Sequence, residues 1–365
     1  MGFAQVGRKE TGNTMQSYDV CECGVPLRKM ERPTPQPSGT QVLLKIVAAG
    51  VCHSDLHIWD GYYELGGGKQ LRLSERGVKL PLTMGHENVG EVVAVGPDVR
   101  GVSVGARRLA YPWIGCGDCM VCRRGDENLC ATPASLGIYT SGGYADYMLV
   151  PHPRHLFDIG ELPAQRAAPL ACSGLTAFSA LKKVSDVIKE QPVVIIGAGG
   201  VGLMCLALHQ AMGGKSAIVV DIDASKRDAA TQAGAAAVID GAAPDVVQQI
   251  IAHTGRGAWA VIDFVGSSGT VEIGVRSLIK GGKLVIVGLF GGDVTIPTPH
   301  FPMRAMTLQG SYVGSLTEMK ELLDLVQDKG LPPFPISTRP LAEVNAALDE
   351  LRAGKVIGRV VLMPT

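Results

Sequence analysis

The chain has 365 residues, of which 46% are hydrophobic, and this is enough for two domains that each bury a core. Lysine plus arginine equals aspartate plus glutamate at 34 each, so no excess of positive charge favours nucleic acid or anionic lipid. The composition excludes a disordered chain and argues against nucleic-acid and membrane partners.

The first 20 residues, MGFAQVGRKETGNTMQSYDV, lack the apolar core of a secretory signal peptide, so we expect a cytoplasmic protein. Met15 is an alternative native start to Met1, because MQSYDV begins the first strand-like stretch after a polar arm. Nine cysteines in such a chain are expected to bind metal or to remain buried thiols rather than to form disulfides.

Residues 40–150 predict mostly β structure, in which the segments QVLLKIVAAG, ENVGEVVAVG and GGYADYMLVP are separated by turns rich in glycine and proline. After about residue 160, short apolar runs alternate with helical segments. The six runs are VVII (193–196), AIVVD (217–221), AAVID (236–240), AVIDFV (260–265), KLVIVG (283–288) and MTLQGSYV (306–313).

Continuously apolar strands that alternate with helices predict a parallel sheet covered on both faces. Six such strands fit an α/β, doubly wound dinucleotide-binding domain. The tail has helical periods near 317–329 and 341–353 and ends in IGRVVLM, which is expected to return to the first, mostly β domain.

The segment VVIIGAGGVGLM predicts the cofactor site. Gly197, Gly199 and Gly202 have G-x-G-x-x-G spacing between a strand and a helix, and the next strand ends in Asp221. The glycines allow close approach of a pyrophosphate, and Asp221 can accept hydrogen bonds from the adenosine ribose. Asp221 favours NAD over NADP, although the nearby cation Lys226 weakens this preference.

The run GCGDCMVCRRGDENLC predicts a structural zinc site. Cys116, Cys119, Cys122 and Cys130 supply four thiolates within 15 residues, the donor set of a closed tetrahedral site. Because all four positions are filled by protein, this zinc is expected to hold a lobe of the chain rather than to bind substrate.

A catalytic zinc needs about three protein ligands and one exchangeable position. Scattered candidates occur in GVCHSDLHIW, TMGHENVG and APLACSGLT. From the spacing alone, each of these histidines and cysteines is equally well a core residue.

The segments GVCHSD, GHE, the four-cysteine run, PLACSGLT and GAGGVG occur in this order, and together they resemble the zinc-dependent medium-chain alcohol dehydrogenases over about residues 26–363. The resemblance implies that Cys52, His86 and Cys172 hold the catalytic zinc, which makes two zinc ions per chain. It also implies that Glu87 lies near this zinc and that Asp55 orients His86.

The same resemblance assigns the remaining site residues. Ser54 is expected to bind the alcohol hydroxyl, and His57 is expected to form the solvent end of a proton relay. His53 and Arg359 match positions that face the pyrophosphate, and Thr176 is expected to pack beside the nicotinamide.

The resemblance further implies a catalytic domain at residues 1–172 that forms a partly open, GroES-like β-barrel with both zinc sites. It places a Rossmann domain for NAD at 173–312 and a return to the catalytic domain at 313–365. The implied reaction is reversible oxidation of a small-molecule alcohol to an aldehyde or ketone. A homo-oligomer is expected, and the family favours a tetramer.

The segment between His57 and His86 is long and carries several cations, and it allows two interpretations: a solvated surface loop, or a loop that attracts a substrate carboxylate. The stretches HIWDGYYELGGGK and YPWIGCGDC resemble 6-hydroxyhexanoate dehydrogenases and favour the second interpretation. Trp59, Trp113 and Tyr62 are candidates for the pocket wall. The cations are Lys69, Arg72, Arg76 and Lys79.

Four alternatives remain at this point. A broad-range primary or secondary alcohol dehydrogenase and a carbonyl reductase share the same site. A metal-free quinone reductase would not need the Cys52, His86 and Cys172 set, and a non-catalytic nucleotide-binding protein would not need Ser54 and His57.

Overall fold

The computed structural model describes residues 13–364, so of the two candidate starts Met1 lies outside the described residues and Met15 lies within them. Within that range no helix is both long and apolar enough to cross a membrane. The strands are β1 (Thr14–Val20), β2 (Arg28–Pro33), β3 (Val42–Val51), β4 (Tyr62–Gly66), β5 (Lys69–Arg72), β6 (Leu82–Thr83), β7 (Glu87–Val95), β8 (Arg107–Ala110), β9 (Tyr147–Val150), β10 (Leu156–Asp158), β11 (Val193–Ile196), β12 (Ala217–Asp221), β13 (Ala237–Asp240), β14 (Ala258–Asp263), β15 (Leu278–Ile286), β16 (Thr307–Gly310), β17 (Ile336–Pro340) and β18 (Arg359–Met363).

Short 3₁₀ turns and eleven α-helices connect the described strands. The helices are α1 (His53–Asp60), α2 (Met120–Arg123), α3 (Ala164–Ala167), α4 (Ser173–Lys182), α5 (Gly200–Ala211), α6 (Ala224–Gln232), α7 (Val246–Thr254), α8 (Ser268–Ser277), α9 (His300–Arg304), α10 (Leu316–Lys329) and α11 (Val344–Arg352).

Six parallel strands form one sheet in the order β13-β12-β11-β14-β15-β16. The order reverses between β11 and β14, which creates a crevice at the carboxyl ends of these two strands. The glycine-rich turn follows β11 directly, so the fold places it at this crevice.

Both faces of this sheet are buried, and this explains the continuously apolar runs. Ile195 and Val219 belong to one hydrophobic cluster, while their neighbours Val194 and Val220 belong to another on the opposite face. Side chains alternate between the two faces of a strand, so a strand that is covered on both faces has no polar positions.

The other half of the chain is mostly β. Its main sheet has the order β10-β8-β7-β3-β18-β17, and β9 also pairs with β3. β18 comes from the end of the chain and pairs with β3, so the tail returns to the first unit as predicted. The predicted fold class is confirmed, whereas the domain boundaries at residues 172 and 312 stay predictions.

The segment after α1 is not the loop that the sequence suggested. β4 and β5 form an antiparallel hairpin whose turn contains Gly66, Gly67 and Gly68, each with positive φ. A Cβ atom at Gly66 would lie 2.8 Å from Oδ1 of Asp293, so the hairpin tip packs against the segment that follows β15. Both interpretations of the segment treated it as a loop, but its glycine run makes the tight turn of a hairpin.

The last apolar run, MTLQGSYV, also differs from the prediction, because β16 ends at Gly310. The chain then turns, and Val313 has a φ of +43°. This turn brings residues 311–313 to the crevice.

Candidate active site

A cleft lies between the mostly β unit and the nucleotide-type sheet, and it contains most of the residues selected from the sequence. Asp55, His86 and Glu87 are fully buried and lie outside the cleft lining. The selected residues that line the cleft are Cys52, His53, Ser54, His57, Cys172, Thr176, Gly197, Gly199, Gly202, Asp221, Lys226 and Arg359.

Cys52, His86 and Cys172 form a buried triad at one end of the cleft. Their ligand atoms all lie within 4.8 Å of one another, and the two sulfur atoms are 3.8 Å apart. His86 Nε2 is buried and has no hydrogen-bond partner. Two thiols and an orphaned imidazole nitrogen at this spacing fit a zinc ion, and the cleft beside them leaves room for one further ligand.

Asp55 fixes the orientation of this triad. Its Oδ1 lies 3.0 Å from His86 Nδ1, which leaves Nε2 free to face the other ligands. Its Oδ2 accepts hydrogen bonds from the main-chain N–H of Cys52 at 2.9 Å and from the hydroxyl of Tyr144 at 2.8 Å. Tyr144 was not selected from the sequence, because no local pattern links it to Asp55.

The hydrogen bond with Cys172 lowers the pKa of Cys52 well below its usual value, and contacts with His86 act in the same direction although burial opposes it. The thiolate is the form that binds a metal. The surroundings of Cys52 therefore favour its metal-ligand form, whereas the same hydrogen bond raises the pKa of Cys172 and favours its thiol.

Glu87 and Arg359 form a buried ion pair behind the triad, a contact that the sequence did not reveal. The other carboxylate oxygen of Glu87 accepts the main-chain N–H of Ser173 at 3.1 Å. Burial raises the pKa of Glu87 to about 7, although the charge of Arg359 opposes this rise. A Cβ atom at Gly200 would lie 2.6 Å from Arg359 Cδ, so Arg359 spans from Glu87 to the glycine-rich turn.

Ser54 and His57 lie on α1, which begins immediately after Cys52. Both line the cleft, and the His57 ring packs against Tyr63 at 4.6 Å between centroids and against His53 at 5.6 Å. Desolvation lowers the pKa of His57, and the nearby His53 adds to this effect. This shift favours the neutral imidazole, which is the form that can accept a proton.

Trp113 is the one selected aromatic residue that lines the cleft. Its ring lies 5.5 Å from the His86 ring and 6.0 Å from the Tyr312 ring, both in edge-on geometry. Trp59 was wrongly assigned to the wall: it is buried, donates its indole N–H to the carbonyl of Val25 and packs under Arg352.

Tyr62 was also wrongly assigned, because Tyr63 occupies the cleft instead. Adjacent side chains of a strand point to opposite faces, and the sequence does not show which face of β4 meets the cleft. Tyr63 and Tyr312 both line the cleft, but neither belongs to a sequence motif that would indicate this position.

The four cysteines of the sequence run form a second cluster with ligand atoms within 4.8 Å of one another. Sulfur–sulfur distances include 3.4 Å for Cys119 and Cys122 and 3.8 Å for Cys119 and Cys130. Main-chain N–H groups of Asp118 and Cys119 lower the pKa of Cys116 to about 6. Four thiols in this arrangement fit a closed structural zinc site.

Each of the three glycines of the nucleotide motif is in a different geometric environment, so a side chain would have a different effect at each position. Gly197 has a φ of +94°, which disfavours a side chain. A Cβ atom at Gly202 would lie only 1.8 Å from the carbonyl oxygen of Gly197, whereas a Cβ atom at Gly199 would meet no protein atom within 4 Å. The turn is therefore open at Gly199, where the N-terminus of α5 can receive an anion.

Asp221 ends β12 beside this turn. Its carboxylate accepts the main-chain N–H groups of Ala198 at 2.7 Å and of Asp223 at 2.8 Å. A carboxylate has about four acceptor positions, so Asp221 retains capacity for ribose hydroxyls. Lys226 and His53 add positive or hydrogen-bonding groups to the same cleft.

Comparisons with known proteins agree with this architecture. Residues 38–161 match the model of the alcohol dehydrogenase GroES-like domain, and residues 200–328 match that of the zinc-binding dehydrogenase. An NAD-dependent alcohol dehydrogenase of Sulfurisphaera tokodaii is 41% identical over 96% of this chain and 100% of its own length. A D-arabinose 1-dehydrogenase (NADP(+)) of Saccharolobus solfataricus is 33% identical over 90% of this chain and 92% of its own.

A solved alcohol dehydrogenase from Aeropyrum pernix has a TM-score of 0.86 and 32% identity, covering 96% of this chain and 100% of that chain. The two matched domains and the relatives that extend over nearly the whole length confirm the resemblance found in the sequence motifs. The chain belongs to the zinc-dependent medium-chain alcohol dehydrogenase family.

Proposed function

We propose that this protein oxidises alcohols to aldehydes or ketones with NAD as the hydride acceptor, that it depends on a catalytic zinc, and that the reaction is reversible. The observation that carries the proposal is that one cleft joins the Cys52, His86 and Cys172 triad to the glycine-rich turn at Gly199. A reacting alcohol carbon and a nicotinamide ring can meet only in such a shared space.

A zinc ion held by Cys52, His86 and Cys172 would act as a Lewis acid and lower the pKa of the substrate hydroxyl. The chain's own residues hold the ligands for this purpose: Asp55 turns His86 so that Nε2 faces the two sulfur atoms. The buried ion pair of Glu87 and Arg359 is proposed to support the triad from the side of the glycine-rich turn.

The proton of the substrate hydroxyl is proposed to leave through Ser54 to His57. Both residues lie on α1 beside the triad, and the lowered pKa of His57 keeps its imidazole ready to accept a proton at neutral pH. The half-buried position of His57 provides a route to solvent.

The nucleotide is proposed to bind with its pyrophosphate at the N-terminus of α5, near His53 and Arg359, and with Thr176 beside the nicotinamide. Asp221 accepts ribose hydroxyls and would repel a 2′-phosphate, so we propose NAD rather than NADP. Lys226 can contact the same ribose from α6.

The test is NADH formation from 1-hexanol, with NADP as the comparison cofactor. We expect kcat/KM with NAD to exceed that with NADP by about tenfold, which is roughly 1.4 kcal/mol. Chelation should abolish turnover, and added Zn²⁺ should restore it. Full turnover of 1-hexanol by metal-free protein would refute the proposed dependence on zinc, whereas NADH-dependent reduction of a quinone without alcohol oxidation would support the metal-free quinone reductase.

We propose omega-hydroxy acids such as 6-hydroxyhexanoate as a substrate class, because the charge of Arg76 acts on Tyr312, which lines the cleft. Burial raises the pKa of Tyr312, a cleft residue, to about 12, and the charge of Arg76 opposes this rise. Arg76 is therefore the cation of residues 61–80 that we choose for the test of a carboxylate-binding role.

The carboxylate proposal is tested with Arg76→Gln and with Lys69→Gln as the matched control on the exposed hairpin. The wild type should prefer 6-hydroxyhexanoate to 1-hexanol by about tenfold in kcat/KM. Arg76→Gln should remove this preference and Lys69→Gln should keep it. Equal kcat/KM values for the two substrates in the wild type would refute the carboxylate proposal and would support a broad-range alcohol dehydrogenase.

We also propose two zinc ions per chain and a homo-oligomer, with a tetramer favoured by the family. Large apolar side chains are exposed on the nucleotide-binding unit, including Phe290, Phe301 and Met303. Such side chains are typical of surfaces that are covered by a partner. Light scattering coupled to size-exclusion chromatography measures the subunit number.

A further inference from the structure

Residues 311–314, here called the strap, cross the cleft after β16 in a strained conformation. Ser311, Tyr312 and Val313 all line the cleft. Val313 has a φ of +43°, a value that a β-branched residue adopts only when its surroundings enforce it. The strap therefore needs contacts that hold it in place.

Two side chains of the catalytic unit supply these contacts, one on each side of Val313. The Tyr111 hydroxyl donates a hydrogen bond of 2.8 Å to the carbonyl of Gly314. The Asn128 side-chain amide donates one of 3.0 Å to the carbonyl of Tyr312. Both bonds join the strap to residues far away in the sequence, 203 positions for Tyr111 and 184 positions for Asn128.

The two donors are linked through the four-cysteine lobe. Glu127, the neighbour of Asn128, is buried and lies 3.2 Å from Nε2 of His155, whose ring stacks on Tyr111 at 6.3 Å. Glu127 also accepts the main-chain N–H of Gly115 at 3.0 Å. Because Glu127 and Asn128 lie between Cys122 and Cys130, the lobe itself carries part of this connection.

The strap in turn places Tyr312 opposite Trp113 at the substrate end of the cleft. The two rings are 6.0 Å apart, and Trp113 reaches the His86 ring at 5.5 Å on its other side. Gly115, which Glu127 holds, is two residues from Trp113. The same lobe thus contacts both sides of the opening through which a substrate approaches the triad.

We propose that Tyr111 and Asn128 are positioning residues that clamp the strap and set the width of the substrate opening between Trp113 and Tyr312. The four-cysteine lobe then takes part in substrate selection and does more than stabilise the fold. This inference rests on the proposed function, since the opening selects among alcohols.

The test uses Tyr111→Phe, which removes one hydroxyl, and Asn128→Asp, which replaces the amide donor by an acceptor of the same size. Leu129→Ala is the matched control, because Leu129 is in the same lobe with its side chain exposed. The measured quantity is the ratio of kcat/KM for benzyl alcohol to that for ethanol. We expect the ratio to rise at least threefold in both variants, since a released Tyr312 widens the opening, and to stay unchanged in Leu129→Ala.

Hydrogen–deuterium exchange of the 309–315 segment provides a second readout that needs no turnover. Exchange should accelerate in Tyr111→Phe and Asn128→Asp while zinc content and exchange of the β11 segment stay at wild-type values. Unchanged exchange, or an unchanged ratio in both variants, overturns the clamp. A wild type that oxidises no alcohol overturns the proposed function instead, and the exchange experiment then decides the clamp alone.

Discussion

Replacing Gly199 by alanine should weaken NADH binding without harming the fold. A Cβ atom at Gly199 meets no protein atom within 4 Å, and its φ of −70° suits any residue. The added methyl group would instead occupy the open side of the turn, where the pyrophosphate is proposed to approach. We expect the dissociation constant for NADH to rise by about tenfold or more, which corresponds to roughly 1.4 kcal/mol.

Gly202→Ala is the informative comparison, because there the structure predicts a cost to the fold itself. A Cβ atom at Gly202 would lie 1.8 Å from the carbonyl oxygen of Gly197, where an ordinary contact is at least 3.4 Å. Helix α5 must therefore shift away from β11, at a cost of about 1–3 kcal/mol or more. The variant should lose thermal stability even without nucleotide.

Fluorescence titration with NADH and thermal unfolding of the nucleotide-free protein separate the two effects. Gly199→Ala should keep the wild-type melting temperature and lose affinity, whereas Gly202→Ala should lose both. Wild-type NADH affinity in Gly199→Ala would refute the placement of the pyrophosphate at this turn.

Two further predictions concern the buried histidine of α5 and the proton relay. His209 is buried with no partner for Nε2, and burial lowers its pKa to about 4, so below the unfolded-state pKa of about 6.5 protons favour the unfolded chain. The free energy of unfolding should therefore fall by about 2 kcal/mol between pH 8 and pH 5 because of this group. Urea unfolding of His209→Leu should show a fall that is smaller by this amount. If the free energies of unfolding of the wild type and the variant change in parallel with pH, the prediction is wrong. Ser54→Ala should lower kcat by about a hundredfold with zinc content and NADH affinity unchanged. A wild-type kcat for this variant in the NADH-formation assay would show that Ser54 is not part of the relay.

The sequence predicted the nucleotide-binding sheet well because its central strands are buried on both faces. These strands therefore appear as apolar runs, as VVII does for β11, whereas the edge strand β16 is largely exposed. The ends of the apolar runs were poor predictors of where the strands end. The run MTLQGSYV extends three residues beyond Gly310, but β16 ends at Gly310 and Val313 adopts a left-handed conformation. Composition does not reveal where tertiary contacts end a strand.

The candidate site was found where its residues follow a short-range pattern. The four cysteines lie within 15 residues of one another and the three motif glycines within six, and the structure brings each group together. The ion pair of Glu87 and Arg359 joins residues 272 positions apart, and Tyr144 reaches Asp55 across 89 positions. Such contacts depend on how the sheets pack, so no local pattern in one sequence predicts them.

The tyrosines of the opening show the same limit. Tyr62 and Tyr63 are adjacent and chemically identical, and only the face of β4 that meets the cleft distinguishes them. The roles proposed for Tyr111 and Asn128 likewise depend on hydrogen bonds between residues 203 and 184 positions apart.

The zinc content per chain, measured with NADH formation in the same preparations, tests the central claim most directly. We predict two zinc ions in the wild type and one in Cys172→Ser, which should keep its fold and lose turnover. Cys119→Ser should mainly lose thermal stability. A Cys172→Ser variant that keeps full turnover, with Cys119→Ser inactive but stable, would contradict the assignment of catalysis to the buried triad.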